Sequence, residues 1–129
     1  VIGLDTNVLV RYLMQDEPEQ SERATQLIDN LTEESQGFIS TTVLVELCWV
    51  LERAYKVSRE SLIATLDLLL RARELLVQDS AVAHRALRRF QASTCGFSDC
   101  LIVEQAREYG CGSIMTFDKG ATTAGMALL

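Results

Sequence analysis

Asp5, Glu46, Asp99 and Asp118 are the acids of this chain whose surroundings suit chemistry better than simple solvation. Asp5 follows the apolar run Val1-Ile2-Gly3-Leu4, and Asp118 follows Ser113-Ile114-Met115-Thr116-Phe117. Asp99 stands between Ser98 and Cys100 at the start of a helical pattern. Glu46 interrupts an almost wholly apolar stretch, Val43-Leu44-Val45 before it and Leu47-Cys48-Trp49-Val50-Leu51 after it. A carboxylate in such a helix is expected to be desolvated unless something positive or hydrogen-bonded meets it.

Carboxylates without histidine or cysteine are ligands for hard divalent cations, which take oxygen donors. A cation held by such acids activates water and stabilises charge on a phosphate. The chain has no Ser-His-Asp arrangement, no phosphate-binding Gly-rich loop and no Gly-x-Gly-x-x-Gly. Metal-assisted phosphodiester hydrolysis is therefore the chemistry these residues suit best. Each aspartate also has an ordinary explanation: Asp5 as a helix cap, Asp99 at a helix dipole, Asp118 in a turn before Lys119-Gly120. Caps do not account for Glu46, whereas one shared site accounts for all four. The other acids, among them Glu17, Glu19, Glu22, Glu33, Glu34, Glu52, Glu60, Glu74, Glu104 and Glu108, read as solvated helix faces or ends.

The positioning elements alternate between short apolar strands and amphipathic helices. Val1 to Leu4 reads as a buried strand, and Thr6 to Leu13 as helical with Val8, Leu9 and Tyr12 on its apolar side. Asp16-Glu17-Pro18-Glu19 predicts a helix capped by Asp16, with Ala24, Leu27, Ile28 and Leu31 inward. Gly37 to Ser40 is a second strand. Thr41 or Thr42 caps the next helix, with Leu44, Leu47, Cys48, Leu51 and Tyr55 on its face. Ser58 caps another, facing inward with Leu62, Leu66, Leu69 and Leu70. Leu75-Leu76-Val77 is a third strand, and Asp79 caps a helix bearing Ala83, Ala86, Leu87 and Phe90.

Beyond a loop at 94–97, Ser98 begins a helix with Leu101, Ile102, Gln105, Ala106 and Tyr109, closed by Gly110. Ser113 to Phe117 is a fourth strand and Met126 to Leu129 a fifth. Strands separated by helices imply an α/β fold with a mainly parallel central sheet, in which the carboxyl ends of strands line the ligand crevice. Residues 1–129 read as one domain, long enough to bury a core.

Net charge is −6. Phosphate binding usually favours a basic surface, so the balance counts against tight nonspecific DNA binding. Four of those charges belong to the candidate site, and two divalent cations would cancel them. Arg85, Arg88 and Arg89 share one helix, and Arg71 and Arg73 end another; these read as solvated faces. Trp49, Tyr12 and Tyr55 could stack on bases in principle, but Trp49 and Tyr55 belong to a helix rich in core residues and read as core packing or a subunit interface. The lone histidine, His84, reads as a surface or boundary residue. The four cysteines have no Cys-x-x-Cys spacing and read as buried thiols, which suits a reducing cytoplasm. No stretch reaches the ~20 apolar residues needed to span a bilayer. The opening run, meeting Asp5 at once, lacks the form of a secretory leader.

Gly3-Leu4-Asp5-Thr6-Asn7-Val8-Leu9, Thr42-Val43-Leu44-Val45-Glu46, Phe97-Ser98-Asp99-Cys100-Leu101-Ile102 and Thr116-Phe117-Asp118-Lys119 together resemble PIN domains. They resemble most the VapC-type toxin ribonucleases of bacterial toxin–antitoxin pairs, over essentially the whole chain. The first and last motifs carry most of the specificity. The resemblance implies a Rossmann-like α/β/α domain and Mg²⁺- or Mn²⁺-dependent endonucleolytic cleavage of RNA. It maps the family's acids onto Asp5, Glu46, Asp99 and Asp118, and supporting polar positions onto Asn7 and Thr116. It also implies a cognate antitoxin partner and a homodimer.

A solitary PIN nuclease of RNA processing, and a PIN or receiver-like binding module without nuclease activity, are the alternatives. A receiver would place an acid at the end of a middle strand, where this chain has Ser40 or Gln78. A pure binding module would not need all four acids.

Overall fold

The computed structural model describes residues 1–129, which resolve into two compact units, Val1–Gln78 and Asp79–Leu129. The first unit runs β1 (Ile2–Gly3), α1 (Thr6–Met14), α2 (Pro18–Asp29), β2 (Gly37–Ile39), α3 (Thr41–Arg53), α4 (Arg59–Arg71) and β3 (Leu75–Val77). The three strands are parallel in the order β1-β2-β3, with Ile2 opposite Gly37 and Gly37 opposite Leu75. A helix pair fills each crossover, as parallel strands require. All three strands therefore direct their carboxyl ends the same way.

Leu4, just past β1, is buried, whereas Ile2 and Gly3 are exposed. The expectation of a fully buried first strand is corrected: β1 stands at the edge of this three-stranded sheet. Gly37 packs closely, since a Cβ there would lie 2.8 Å from both Leu4 Cδ1 and Leu31 Cδ1 and the two leucine ends would have to shift.

Helix starts follow side-chain chemistry, with two changes from expectation. α2 is capped by Glu17, not Asp16; its carboxylate accepts from the amides of Glu19 and Gln20. Asp16 instead accepts from the Tyr55 hydroxyl at 2.7 Å and pairs with Arg11. α3 is capped by Ser40, whose Oγ accepts from Val43 N at 3.1 Å, one or two residues before the expected threonines. Ser58 caps α4 as expected, accepting from Ser61 N. The unit's core gathers Leu9 and Val10 of α1, Leu44, Leu47, Cys48 and Leu51 of α3, and Leu62, Leu66 and Leu69 of α4. Val8, Tyr12 and Leu70, expected inward, are half-buried.

The second unit runs α5 (Ser80–Ala92), α6 (Phe97–Glu108), β4 (Met115–Thr116), a 3-10 helix (Lys119–Ala124) and β5 (Ala127–Leu128). β4 and β5 pair in parallel, with Met115 opposite Ala127. α5 packs on α6 through Val82, Ala83, Ala86, Leu87 and Phe90 against Phe97, Cys100, Leu101 and Val103. Phe90 and Phe97 meet edge to face at 5.9 Å. Ile102 and Tyr109, expected on the packed face of α6, are exposed. The helix begins at Phe97 rather than Ser98, and its buried stripe runs through 97, 100, 101, 103 and 104. Gly110 has φ +81°, the left-handed ending expected of it. Asp79 holds the cap position of α5 at φ 49° but makes no side-chain cap hydrogen bond.

Every strand pair is parallel and helices flank them, as the α/β reading expects. No helix is long and apolar enough to cross a membrane. None of the four cysteines is in a disulfide; Cys48, Cys95 and Cys100 are buried and Cys111 is exposed, against the expectation for that one.

Burial, aided by Glu52, pushes the Cys48 thiol up to about 12 from its ordinary 9.0. The folded chain thus holds this proton more tightly than the unfolded chain. The stability it contributes is complete below pH 9 and is lost as pH rises toward 12. The melting temperature is expected to fall over that window, and Cys48→Ala to flatten part of the fall in thermal scans.

Candidate active site

Asp5 is the last residue before α1 and sits at its cap position, yet its side chain makes no cap hydrogen bond. The capping explanation for Asp5 therefore fails, and its exposed carboxylate keeps its oxygens for another partner. Thr6 follows as the first residue of α1 and is only 3% exposed. A buried hydroxyl needs an acceptor. Thr6 Oγ1 finds it across 40 residues of sequence by donating to Glu46 Oε1 on α3.

That bond brings the segment beginning at Asp5 and the Glu46 carboxylate together within the first unit, leaving Glu46 Oε2 unused by it. Glu46 is exposed, not desolvated as its apolar neighbours suggested. The helix buries Leu44, Leu47, Cys48 and Leu51, and Glu46 falls on the opposite side. With Thr41, Thr42, Val45 and Trp49 it lines an open pocket of about 520 Å³. Trp49 is 59% exposed, which corrects the core reading of that residue.

Asn7 is exposed and lines a separate pocket of about 350 Å³ with Val8, Arg11, Gln20 and Arg23. The ends of β2 and β3 carry no acid: Ser40 caps α3, and Gln78 Oε1 accepts from Thr41 N at 2.9 Å.

In the second unit Asp99 lies in the first turn of α6, half-buried. Asp118 precedes the 3-10 helix, and its Oδ1 accepts from Gly120 N at 2.8 Å, as the turn reading expects. Its backbone N–H donates to Thr116 Oγ1 at 3.0 Å, so Thr116 fixes the peptide from which Asp118 projects. Oδ2 of this exposed side chain takes no part in that turn. All four acids offer hard oxygen donors, the chemistry that Mg²⁺ and Mn²⁺ require. Within neither unit do three Asp, Glu, His or Cys side chains gather into a metal-binding group.

Thr6 was missed as a site residue, although a hydroxyl next to a candidate acid was visible in Asp5-Thr6-Asn7. Glu104 was misread as solvated. It is 6% exposed, and its two oxygens accept from Arg85 Nε at 3.3 Å and Arg89 Nε at 2.8 Å. Arg85 also bridges to Glu108, and Arg89 donates to the Ala124 carbonyl at 2.8 Å. Two of the three arginines read as a solvated face thus hold the second unit together, while Arg88 is exposed.

The family model described as PIN domain matches residues 2–125. A VapC ribonuclease of Aquifex aeolicus (strain VF5) is 26% identical over 117 residues, covering 90% of this chain and 86% of that protein.

Removing a buried carboxylate between two guanidinium groups strands them partly desolvated. Both arginines retain some exposure, so Glu104→Ala is expected to cost about 1–3 kcal/mol in urea unfolding. Arg88→Ala should stay within about 0.5 kcal/mol.

Proposed function

The chain belongs to the PIN domain family, and from that premise we propose that it is a divalent-metal-dependent endoribonuclease, the toxin of a toxin–antitoxin pair. Its substrate on this reading is RNA, its partner a cognate antitoxin, and its compartment the cytoplasm. Residues 1–129 act as a single PIN domain. The likeness to a VapC ribonuclease supports the substrate class and the partner. The observation that carries the assignment of the site is the unspent Asp5 carboxylate, beside a buried Thr6 whose hydroxyl holds Glu46.

On this reading Asp5, Glu46, Asp99 and Asp118 would hold Mg²⁺ or Mn²⁺. The chemistry such a cation supplies is Lewis acidity toward the phosphate and the attacking water. The protein's own part is to keep the carboxylates aimed. Thr6 does this for Glu46 by occupying Oε1, which leaves Oε2 open. Gly120 N–H does it for Asp118 by occupying Oδ1, and Thr116 holds the backbone behind it. Asn7, at the first turn of α1, supports Asp5 from the exposed side. Glu46 and Asp118 thus each have one oxygen steadied and the other left open.

A homodimer belongs to the same reading. Leu68, 61% exposed on α4, is the apolar residue a second copy would cover. Light scattering is expected to give about twice 14.4 kDa, and a purely monomeric solution would oppose the dimer.

Asp5→Asn is expected to abolish Mg²⁺- or Mn²⁺-dependent cleavage of RNA without altering the circular dichroism spectrum. A mutant cutting at the parental rate would end the assignment. Thr6→Val should raise the half-saturating Mg²⁺ concentration about tenfold, as loss of an outer hydrogen bond to a ligand does. Thr6→Ser should restore it, since only the hydroxyl is at stake.

A further inference from the structure

Trp49 is the only tryptophan of the chain, and α3 presents it outward rather than into the core. It follows Glu46 by three positions, so the two side chains share one side of the helix. Both line the open pocket completed by Thr41, Thr42 and Val45. The Arg53 guanidinium, one turn further on, lies 5.7 Å from the centre of the indole ring. The pocket therefore combines an aromatic surface, an aliphatic wall, two hydroxyls and a carboxylate assigned above to phosphodiester chemistry, with the Arg53 cation over the indole beside it.

We propose that Trp49 is a substrate-binding residue: it stacks on an unpaired nucleobase of the RNA, next to the phosphate attacked at Glu46. This rests on the nuclease reading of the same site. Every base has a π-face, so an indole stacks without demanding a sequence. The Thr41 and Thr42 hydroxyls are placed to meet a base edge or a ribose hydroxyl, and Arg53 a neighbouring phosphate. A base within a duplex is already stacked on both faces and has no face to offer, so the pocket selects single-stranded or splayed-out nucleotides. A second copy of the chain is the poorer occupant. Covering Trp49 with apolar surface would also bury the charges of Glu46 and Arg53 without partners supplied for them.

The sole tryptophan reports on its own occupancy. In a titration of the non-cleaving Asp5→Asn chain with a mixed-sequence single-stranded oligoribonucleotide in Mg²⁺, tryptophan emission is expected to quench. A duplex of the same sequence should leave it nearly unchanged. Trp49→Ala in the otherwise parental chain should raise KM about tenfold with kcat within a factor of two, and Trp49→Phe should recover most of the loss. Emission unmoved by RNA would overturn the proposal. So would parental KM in Trp49→Ala, or a blue shift that follows protein concentration alone. Quenching is read without turnover. Quenching in a parental chain that cuts no RNA would sink the nuclease reading and keep this one, whereas cleavage with silent emission would do the reverse.

Discussion

A hydroxyl buried at the first turn of α1 must give its proton to an acceptor or forfeit about 1–3 kcal/mol, and Glu46 is the acceptor Thr6 uses. Much of the first unit can be read from that bond. Thr6 is buried because α1 starts two residues after β1 and turns Leu9 and Val10 into the core. Glu46 is within reach because α3 starts directly after β2, the strand hydrogen-bonded beside β1 and parallel to it. Ser40 capping fixes where α3 begins, and so which side of the helix Glu46 occupies. Parallel strands make the two helix starts neighbours; the hydroxyl–carboxylate bond then sets the side chains.

The second unit solves its own problem with charge. Glu104 lies on the packed side of α6, where a carboxylate is tolerated only when paired, and α5 supplies Arg85 and Arg89. Arg89 reaches further, to the carbonyl of Ala124 at the end of the 3-10 helix. Cys95 Sγ lies 2.8 Å from the Gly120 carbonyl of the same helix. Asp118 opens that helix, so its placement depends on groups remote in sequence that bind the helix at both ends. Arg85 and Arg89 are therefore structural before they are anything else.

Some of this was legible from local pattern. Strand–acid junctions at Asp5 and Asp118, the Ser58 cap, the Gly110 ending and the α/β alternation depend on near neighbours in the chain. Other features misled for physical reasons. An apolar run around Glu46 suggested burial, but α3 packs through a stripe of four residues and leaves Val43, Val45 and Val50 only half-covered. Asp16 had the form of a cap, but Tyr55 and Arg11 claim it, and Glu17 caps in its place. Glu104 looked like any surface glutamate, because its partners lie 15 and 19 residues upstream on another helix.

By itself the sequence determined which residues can do chemistry and on which elements they ride. Short-range periodicity, caps and turn residues act within a few residues, and the family's motifs are local strings. Tertiary structure decided which of those side chains are free and which are already committed. Asp5 proved free of its cap, Glu46 exposed yet bonded to Thr6, Trp49 outward, and Glu104 buried in a double ion pair. Commitment is a question of hydrogen-bond and charge partners, and those partners come from elements that only packing brings within reach.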